Sequence, residues 1–371
     1  DMYLPSLPAM ADYFSASLPM VQMGLTTSMI GLALGQIFFG PLSDKYGRRP
    51  LLLVSMLLFI VSTLFCLFAP DIYSFVTLRL IQGIAGAGGI VISRSVAIDK
   101  FSGKELAKML AVIGAINGVA PVAAPVIGGL LTGSVGWQGI FMILLFIGIL
   151  LGIGCIRFKE SLPAEKRSKT GVWATFRSFG IIVHNRRYIL YVFQLAFAQG
   201  ILFAYIASSP FIIQQHYGFS PFAFSICFAV NAVAIGVAAA LSVKFRRTEN
   251  GTLTGCVGML VFAVLQMAAL YSGCGFWTYE LLMFALLFMM GLTFTASTTL
   301  AMDCERRYAG AASALLGALC FASGGIVSPL VGLGDILIST GVTFVICAVC
   351  SLLCALWAVK RTGPKVALCR I

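Results

Sequence analysis

Apolar runs of about 20 residues recur along the whole chain and are separated by short polar turns. One such run, folded as a helix, is long enough to cross the roughly 30 Å hydrocarbon layer of a membrane. Apolar residues make up 60% of the 371 positions and charged residues only 10%, a balance that a water-soluble domain could not bury. The sequence therefore predicts an all-α polytopic membrane protein.

We expect eleven complete transmembrane helices and part of a twelfth. The complete spans are predicted at residues 20–42, 50–70, 73–98, 107–133, 137–157, 187–214, 221–243, 251–273, 277–302, 308–333 and 336–359. Residues 1–13 have the character of the outer half of a first helix, which is then truncated in this chain. The long polar stretch after the first group of spans predicts an N-terminal six-helix bundle (1–157), a cytoplasmic linker (158–186), a C-terminal six-helix bundle (187–360) and a cytoplasmic tail (361–371).

The net charge of +12 is carried almost entirely by loops on one side of the predicted membrane domain. If the spans alternate in direction, 23 of the 25 Lys and Arg residues fall in every second loop, and Arg79 and Arg94 lie inside one span. This bias identifies the basic loops as cytoplasmic. It predicts a multi-pass protein of the bacterial inner membrane with both termini of the full-length protein in the cytoplasm. The basic residues are expected to contact lipid headgroups, and no nucleic-acid partner is expected.

Cofactor, metal and disulfide chemistry are not indicated by the sequence. Nearly all of the eleven cysteines lie in apolar stretches without the neighbouring His or acidic residues that a metal site needs. We expect them to act as small packing residues, and Cys274 alone to face the outside. A nucleotide-binding loop is absent, so ATP is not the expected energy source.

Two segments of the chain repeat at a fixed distance. The stretch SRSVAIDKF (93–101) is similar to STTLAMDCE (297–305), and Pro125 lies 204 residues before Pro329. A period of this length equals one helical bundle, so we expect two six-helix bundles related by a pseudo-twofold axis along the membrane normal. This architecture is suited to alternating access, in which two halves rock around a site between them.

The turn GPLSDKYGRRP (40–50) joins the second and third predicted helices. Gly40 and Gly47 allow a tight turn, Asp44 can cap a helix or pair with a base, and Arg48 and Arg49 can reach lipid phosphate. A well-capped basic turn without further function would use the same residues.

The pattern G-x-L-x-D-x-x-G-R-R in this turn resembles the cytoplasmic-loop signature of the major facilitator superfamily. The resemblance implies a charge cluster, formed here by Asp44, Arg48 and Asp99, that acts as a cytoplasmic gate and favours the outward-open state. The second-half copy of the turn has Val243 in place of Asp44, so the cluster is expected in the N-terminal half only.

The segment LRLIQGIAGAGGIVISR (78–94) places Arg79 and Gln82 inside the fourth predicted helix. An arginine at that position is costly unless it is paired or hydrated. The resemblance implies a role for Arg79 in proton coupling. The alternative is that Arg79 extends to the outer headgroups, and Arg94 is expected to be structural.

The segment GAINGVAPVAAPVIGG (114–129) combines small residues and prolines within one span. It resembles the fifth-helix motif of drug–proton antiporters, and with GWQGIF at 136–141 it is similar to Bcr/CflA-type multidrug exporters. The resemblance implies a bent, closely packed helix that seals one side against leak, and core packing without function is the alternative. Asn117 could face a cavity. The motif residues are Gly114, Gly118, Pro121, Pro125, Gly128 and Gly129.

The opening residues DMYLPSLP match the first-helix pattern D-x-Y-L-P-x-L-P of the same exporters. The helix is expected to end near Asp12, which places Asp1 roughly 20 Å from the outer end, close to mid-membrane. Asp1 is the acid that our spans place at that depth, whereas Glu280 is expected at the outer face. A carboxyl group at mid-membrane could exchange a proton for substrate. A structural hydrogen bond is the alternative role.

These features favour proton-coupled efflux of amphipathic drugs or related small molecules. The residues expected near substrate are Asp1, Tyr3, Arg79, Asn117, Phe203, Tyr205 and Asn231, of which Asp1 and Arg79 are also expected to couple transport to protons. The expected partners are small amphipathic molecules, protons and lipids, and the protein is expected to be a monomer.

Three other functional classes are alternatives to efflux. A uniporter or a proton symporter for a nutrient or metabolite is the main alternative, although the fifth-helix motif argues against it. An enzyme is disfavoured because His184 and His216 are predicted on opposite sides of the membrane and no HExxH motif is present. A channel is disfavoured by the internal repeat and the single acid expected at mid-membrane.

Overall fold

Long α-helices make up almost all of the described chain. The computed structural model describes residues 2–101, 103–167, 179–242, 244–245, 247–305 and 309–360. Ten helices of this part are long and apolar enough to cross a membrane. The helices are α1 (Leu7–Tyr13), α2 (Leu18–Tyr46), α3 (Arg48–Leu67), α4 (Ile72–Lys100), α5 (Gly103–Arg157), α6 (Arg186–Phe211), α7 (Pro221–Ser242), α8 (Thr248–Tyr271), α9 (Phe276–Cys304), α10 (Ala309–Leu330) and α11 (Ile336–Lys360).

Helix α5 contains two passes through the molecule rather than one. Its backbone leaves helical geometry at Gly136, where φ is +64°, a value that favours glycine. The second pass returns to the start of α3, since Nη2 of Arg49 donates to the carbonyl oxygen of Ile156 at 2.9 Å. Counting both passes, the described residues contain eleven long helical passes after a short first helix, and the fold predicted from hydropathy is confirmed.

Side chains in the turns mark where several helices begin. The carboxylate of Asp71 accepts the backbone N–H of Ser74 at 2.8 Å at the start of α4. The side-chain oxygen of Asn185 accepts the N–H groups of Arg187 and Tyr188, each at 3.2 Å, at the start of α6. Both are N-caps that satisfy orphan donors of the first helical turn.

The two halves use the same helix pairings and meet along two seams. In the first half α4 packs against α2 and α3, and in the second half α9 packs in the same way against α7 and α8. Between the halves, α2 packs against α10 and α5 packs against α7. We call the end of the molecule that carries the turn at Gly47 the basic end, and the end that carries Gly136 the opposite end.

Candidate functional site

Arg79 is buried within the first half and is held by uncharged acceptors. Its side chain is on α4, and the residue is only 7% exposed. The guanidinium donates to Oε1 of Gln82 and to the carbonyl oxygen of Gly24, the latter at 3.4 Å. Gln82 in turn donates to Oγ1 of Thr63 at 2.6 Å. Among the described residues no carboxylate pairs with Arg79, and the side chain does not extend to the surface.

Tyr3 and Arg79, both predicted site residues, are in contact. The centre of the Tyr3 ring lies 4.7 Å from Cζ of Arg79, a cation–π distance. Phe141 presents a second ring to the guanidinium at 6.0 Å. The start of the chain therefore packs directly over the buried arginine. Asp1, the predicted proton-coupling residue, lies outside the described residues.

The remaining predicted substrate residues are divided among other parts of the molecule. Tyr205 and Asn231 meet in the second half, where Nδ2 of Asn231 donates to the phenolic oxygen of Tyr205 at 3.1 Å. Phe203 packs 5.9 Å from the ring of Phe321, beside the seam between α2 and α10. Asn117 lies in the part of α5 whose side chains are not described. The structure therefore joins two pairs, one in each half.

Glu280 makes a contact within the second half that its place in the sequence did not predict. It was expected with the acids at the outer face, but its side chain reaches into the second half. Oε1 accepts a hydrogen bond from Asn231 at 2.8 Å, and Oε2 is shielded from solvent without a partner among the described residues. A Glu five residues inside an apolar helix was the available signal.

At the basic end, the structure brings Asp44, Arg48 and Asp99 together. The Arg48 guanidinium donates to Asp44 at 2.5 Å and, through Nε, to Asp99 at 2.9 Å. It also donates to Oγ of Ser43 at 2.7 Å. Arg48 is only 6% exposed, so it points into this cluster rather than toward lipid phosphate. The cluster joins the turn between α2 and α3 to the end of α4.

Sequence analysis missed two linker residues that complete the cluster at the basic end. Glu160 accepts the backbone N–H groups of Arg48 and Arg49 at 3.0 and 3.1 Å, and Ser161 donates to Asp99 at 3.1 Å. Burial acts to raise the pKa of the Glu160 carboxyl, but its backbone hydrogen bonds outweigh burial and lower that pKa. Glu160 lies 112 residues from Arg48 in sequence, so no local pattern links them.

Two glycines of the predicted cytoplasmic gate differ in how tightly they are enclosed. Gly47 has a φ of +104°, and a side chain there would meet the carboxylate of Glu160. The turn therefore requires glycine at position 47 for two reasons, the positive φ and the lack of space for a side chain. A side chain at Gly40 would make only ordinary contact with Val91, at 3.7 Å.

The predicted antiporter-motif helix lies at the contact between the two halves. A side chain at Gly128 would collide with the carbonyl oxygen of Met2, and one at Gly129 would collide with Oγ of Ser225 on α7. The close approach of α5 to the start of the chain and to α7 therefore depends on these glycines. The backbone of α5 leaves helical geometry at Gly136, in the turn between the two predicted spans. Gly114, Gly118 and Pro121 lie in the part of α5 whose side chains are not described.

Three hydrogen bonds between described residues join the halves toward the opposite end. In each, a side chain donates to a backbone carbonyl of the other half. The pairs are Gln22 with Ala207 at 3.0 Å, Gln214 with Pro5 at 3.1 Å and Ser225 with Pro125 at 2.8 Å. Together with the glycine contacts they close the opposite end of the molecule.

Comparison with known proteins assigns this architecture to a family. A family model described as Major Facilitator Superfamily matches residues 1–329. The chain is 39% identical over 342 residues to the uncharacterized MFS-type transporter YdgK of Bacillus subtilis, covering 90% of this chain and 85% of that protein. It is 30% identical over 345 residues to a bicyclomycin resistance protein homolog of Haemophilus influenzae, covering 89% of this chain and 84% of that protein.

A solved structure has the same fold. A bacterial homolog of the human lysosomal transporter Spinster superposes with a TM-score of 0.77 at 18% identity, covering 97% of this chain and 93% of that chain. The family and this structural neighbour are transporters, so the protein is a transport protein rather than an enzyme. The ten helices of the described residues that are long and apolar enough to span a membrane make it a multi-pass membrane protein. The chain therefore belongs to the major facilitator superfamily.

Proposed function

We propose that the protein exports amphipathic small molecules across the bacterial inner membrane in exchange for protons. The observation that carries the proposal is the buried guanidinium of Arg79, which has no carboxylate partner among the described residues and contacts Tyr3. A positive charge buried in this way is costly unless it is compensated. Asp1 is two residues before Tyr3 in sequence and is the carboxylate we assign to this role.

In the proposed cycle, Asp1 and Arg79 couple substrate to protons. Asp1 takes up a proton when the site faces the outside, and loss of that proton to the cytoplasm frees the carboxylate for the next substrate. The guanidinium of Arg79 stabilises the ionised form of Asp1, and its neutral acceptors Gln82 and Gly24 keep it in place in both forms. Tyr3 offers an aromatic face to an amphipathic substrate.

Alternating access accounts for the different chemistry at the two ends. The opposite end is closed by neutral hydrogen bonds and glycine contacts between the halves. The basic end carries an ionic cluster inside the first half, which we assign as the cytoplasmic gate. The basic end then faces the cytoplasm, as the distribution of Lys and Arg predicts. The resistance-protein name of one relative is consistent with export. We infer that the unit of transport is the monomer.

The test uses the full-length protein in inverted membrane vesicles with an imposed pH gradient. A panel of amphipathic cations and neutral drugs is added, and proton release is followed by a pH-quenched dye. Wild type is compared with Asp1→Asn and with the control Asp12→Asn, which removes an exposed carboxylate from the first helix. We expect drug-triggered proton release in wild type and in the control, and its loss in Asp1→Asn.

Other outcomes would change the proposal in defined ways. Proton release that survives Asp1→Asn would keep antiport and remove Asp1 from the coupling role. No response to any compound from folded protein would contradict drug efflux and favour uniport or proton symport of a nutrient or metabolite. Substrate-driven movement of protons into the vesicle lumen, opposite in direction to the release expected for antiport, would identify a symporter directly.

A further inference from the structure

Glu280 is an ionisable residue inside a membrane helix, and the transport scheme above gives it no role. It belongs to the early turns of α9, and its carboxylate meets Asn231 of α7 at 2.8 Å. Asn231 also bonds to Tyr205 of α6 at 3.1 Å. This carboxyl–amide–phenol chain, which we call the Glu280 cluster, therefore connects three helices of the second half.

The Glu280 carboxylate has no compensating cation among the described residues. The titratable groups that face it are phenols and a thiol, namely Tyr205 of α6, Cys227 of α7 and Tyr279 of its own helix. Beyond Tyr279 lie Tyr217 and then His216, which contacts the Tyr217 ring. Helix α7 contains no Lys, Arg, Asp or Glu. The charged residues of α6 and α8, Arg186, Arg187 and Glu249, lie at the basic end.

The hydrogen bonds of the Glu280 cluster leave acceptors in excess. Oε2 of Glu280 and Oδ1 of Asn231 are both shielded from solvent, and neither has a hydrogen-bond donor among the described residues. An ionised carboxylate cannot supply a donor, whereas a carboxylic acid supplies one O–H. The positive end of the α9 dipole gives little help, because its effect falls off within the first turn. A single proton on Glu280 therefore does two things at once. It removes the uncompensated negative charge, and it gives the carboxyl group an O–H that can donate a hydrogen bond.

We propose that Glu280 is a second proton-exchange site, located in the C-terminal half, which holds a proton while the opposite end is closed. The carboxylate takes up this proton from water when the opposite end is open to the outside. When water later enters from the basic end, the O–H bond breaks, the proton passes to that water and so to the cytoplasm, and the carboxylate remains hydrogen-bonded to Asn231. The proposal rests on the proton-coupled transport proposed above and extends it, because each half then contributes one exchangeable proton to the cycle.

Infrared spectroscopy of the full-length protein in lipid vesicles tests the protonation state without any substrate. The probe is the C=O stretching band of a protonated carboxyl, identified by its shift between H2O and D2O at neutral pH. The variant Glu280→Gln keeps the acceptor for Asn231, and Asp12→Asn is the control at an exposed position. We expect a protonated-carboxyl component that is present in wild type, in Asp12→Asn and in Asp1→Asn, and is lost in Glu280→Gln. Should Glu280→Gln not fold, Glu280→Asp replaces it and must shift the band.

The second arm measures protons released per drug molecule in the inverted-vesicle assay. If the proposal is right, Glu280→Gln lowers this ratio to about half of the wild-type value, because one of two exchangeable protons is removed. An infrared band that is identical in wild type and Glu280→Gln would overturn the proposal, as would an unchanged proton ratio. Failure of the proposed function gives a different pattern. Wild type then shows no drug-triggered proton release, while its protonated-carboxyl infrared band is still lost in Glu280→Gln.

Discussion

The carboxylate of Glu160 accepts the backbone N–H of Arg48 at 3.0 Å and thereby caps α3 from a segment 112 residues away. Three further backbone N–H groups, those of Arg49, Ser161 and Leu162, donate to the same carboxylate at 2.9 to 3.1 Å. The first part of the linker between the halves is therefore built into the basic end of the first half. This relationship makes the linker a structural part of the ionic cluster there.

Replacing Glu160 should weaken the start of α3 and make stability less sensitive to acid. Loss of an N-cap costs about 1 kcal/mol, so Glu160→Ala is expected to lower the thermal unfolding midpoint. Burial raises the pKa of Glu160 and the hydrogen bonds more than reverse this, so the folded-state pKa lies below the unfolded one. Its stabilisation is then complete above the unfolded value and is lost as pH falls below about 4.

Thermal unfolding of wild type and Glu160→Gln at neutral and acid pH measures this dependence. The control is Glu165→Gln, which removes a nearby linker carboxylate that is exposed. Wild type and the control should lose more stability on acidification than Glu160→Gln does. Equal losses in all three proteins would show that Glu160 is not a capping carboxylate.

The two acids that hold Arg48 should contribute unequally. The side chain of Asp99 is 13% exposed and that of Asp44 is 50% exposed. Removing a partner from a buried charge costs roughly 2 kcal/mol, whereas an exposed pair contributes under about 1 kcal/mol. Asp99→Asn is therefore expected to destabilise the protein more than Asp44→Asn, as measured by thermal unfolding in lipid nanodiscs. A larger loss of stability in Asp44→Asn would mean that Arg48 is held mainly by Asp44 of the turn and not by Asp99 of α4.

Gly129 should be essential for closure of the opposite end. A methyl group there would collide with Ser225 and with the carbonyl oxygen of Pro221, and overpacking of this kind costs roughly 1–3 kcal/mol. We expect Gly129→Ala to increase labelling of an engineered Ser225→Cys from the outside and to raise proton leak. Gly133→Ala on the same helix is the matched control, since a side chain there meets nothing within 4 Å. Equal labelling in both variants would contradict the assignment.

A lysine at position 79 would keep the positive charge, but we expect it to lose the function of Arg79. The guanidinium reaches the carbonyl of Gly24 and the side chain of Gln82 at once and lies over the Tyr3 ring, and a single ammonium cannot reproduce this fork. Arg79→Lys is expected to lower drug-triggered proton release at least tenfold, corresponding to about 1.4 kcal/mol or more. The control Arg94→Lys changes an exposed arginine of the same helix and should retain activity. Comparable loss in both would argue for a general requirement for arginine in α4.

Sequence patterns predicted the helices, and the resemblance in the turn predicted the contact of Arg48 with Asp99, 51 residues away, whereas the contacts of Glu160 and Glu280 were not predicted. Hydropathy placed the spans because crossing a membrane demands long apolar runs. The resemblance of the turn to the family signature grouped Asp44 and Arg48 with Asp99, and the structure brings the three together. Glu160 was missed because a linker carboxylate carries no local signal for the helix that it caps. The contact of Glu280 was missed because its side chain is directed inward by hydrogen bonding to Asn231 of another helix.

The three hydrogen bonds that close the opposite end share a feature that sets their response to the environment. Each donor is an uncharged side chain of Gln or Ser, and each acceptor is a main-chain carbonyl. None of these bonds involves an ionised group, so neither acid nor a high salt concentration on that side weakens them. Among the described residues the ion pairs lie at the basic end, and that end therefore responds to the salt of its compartment.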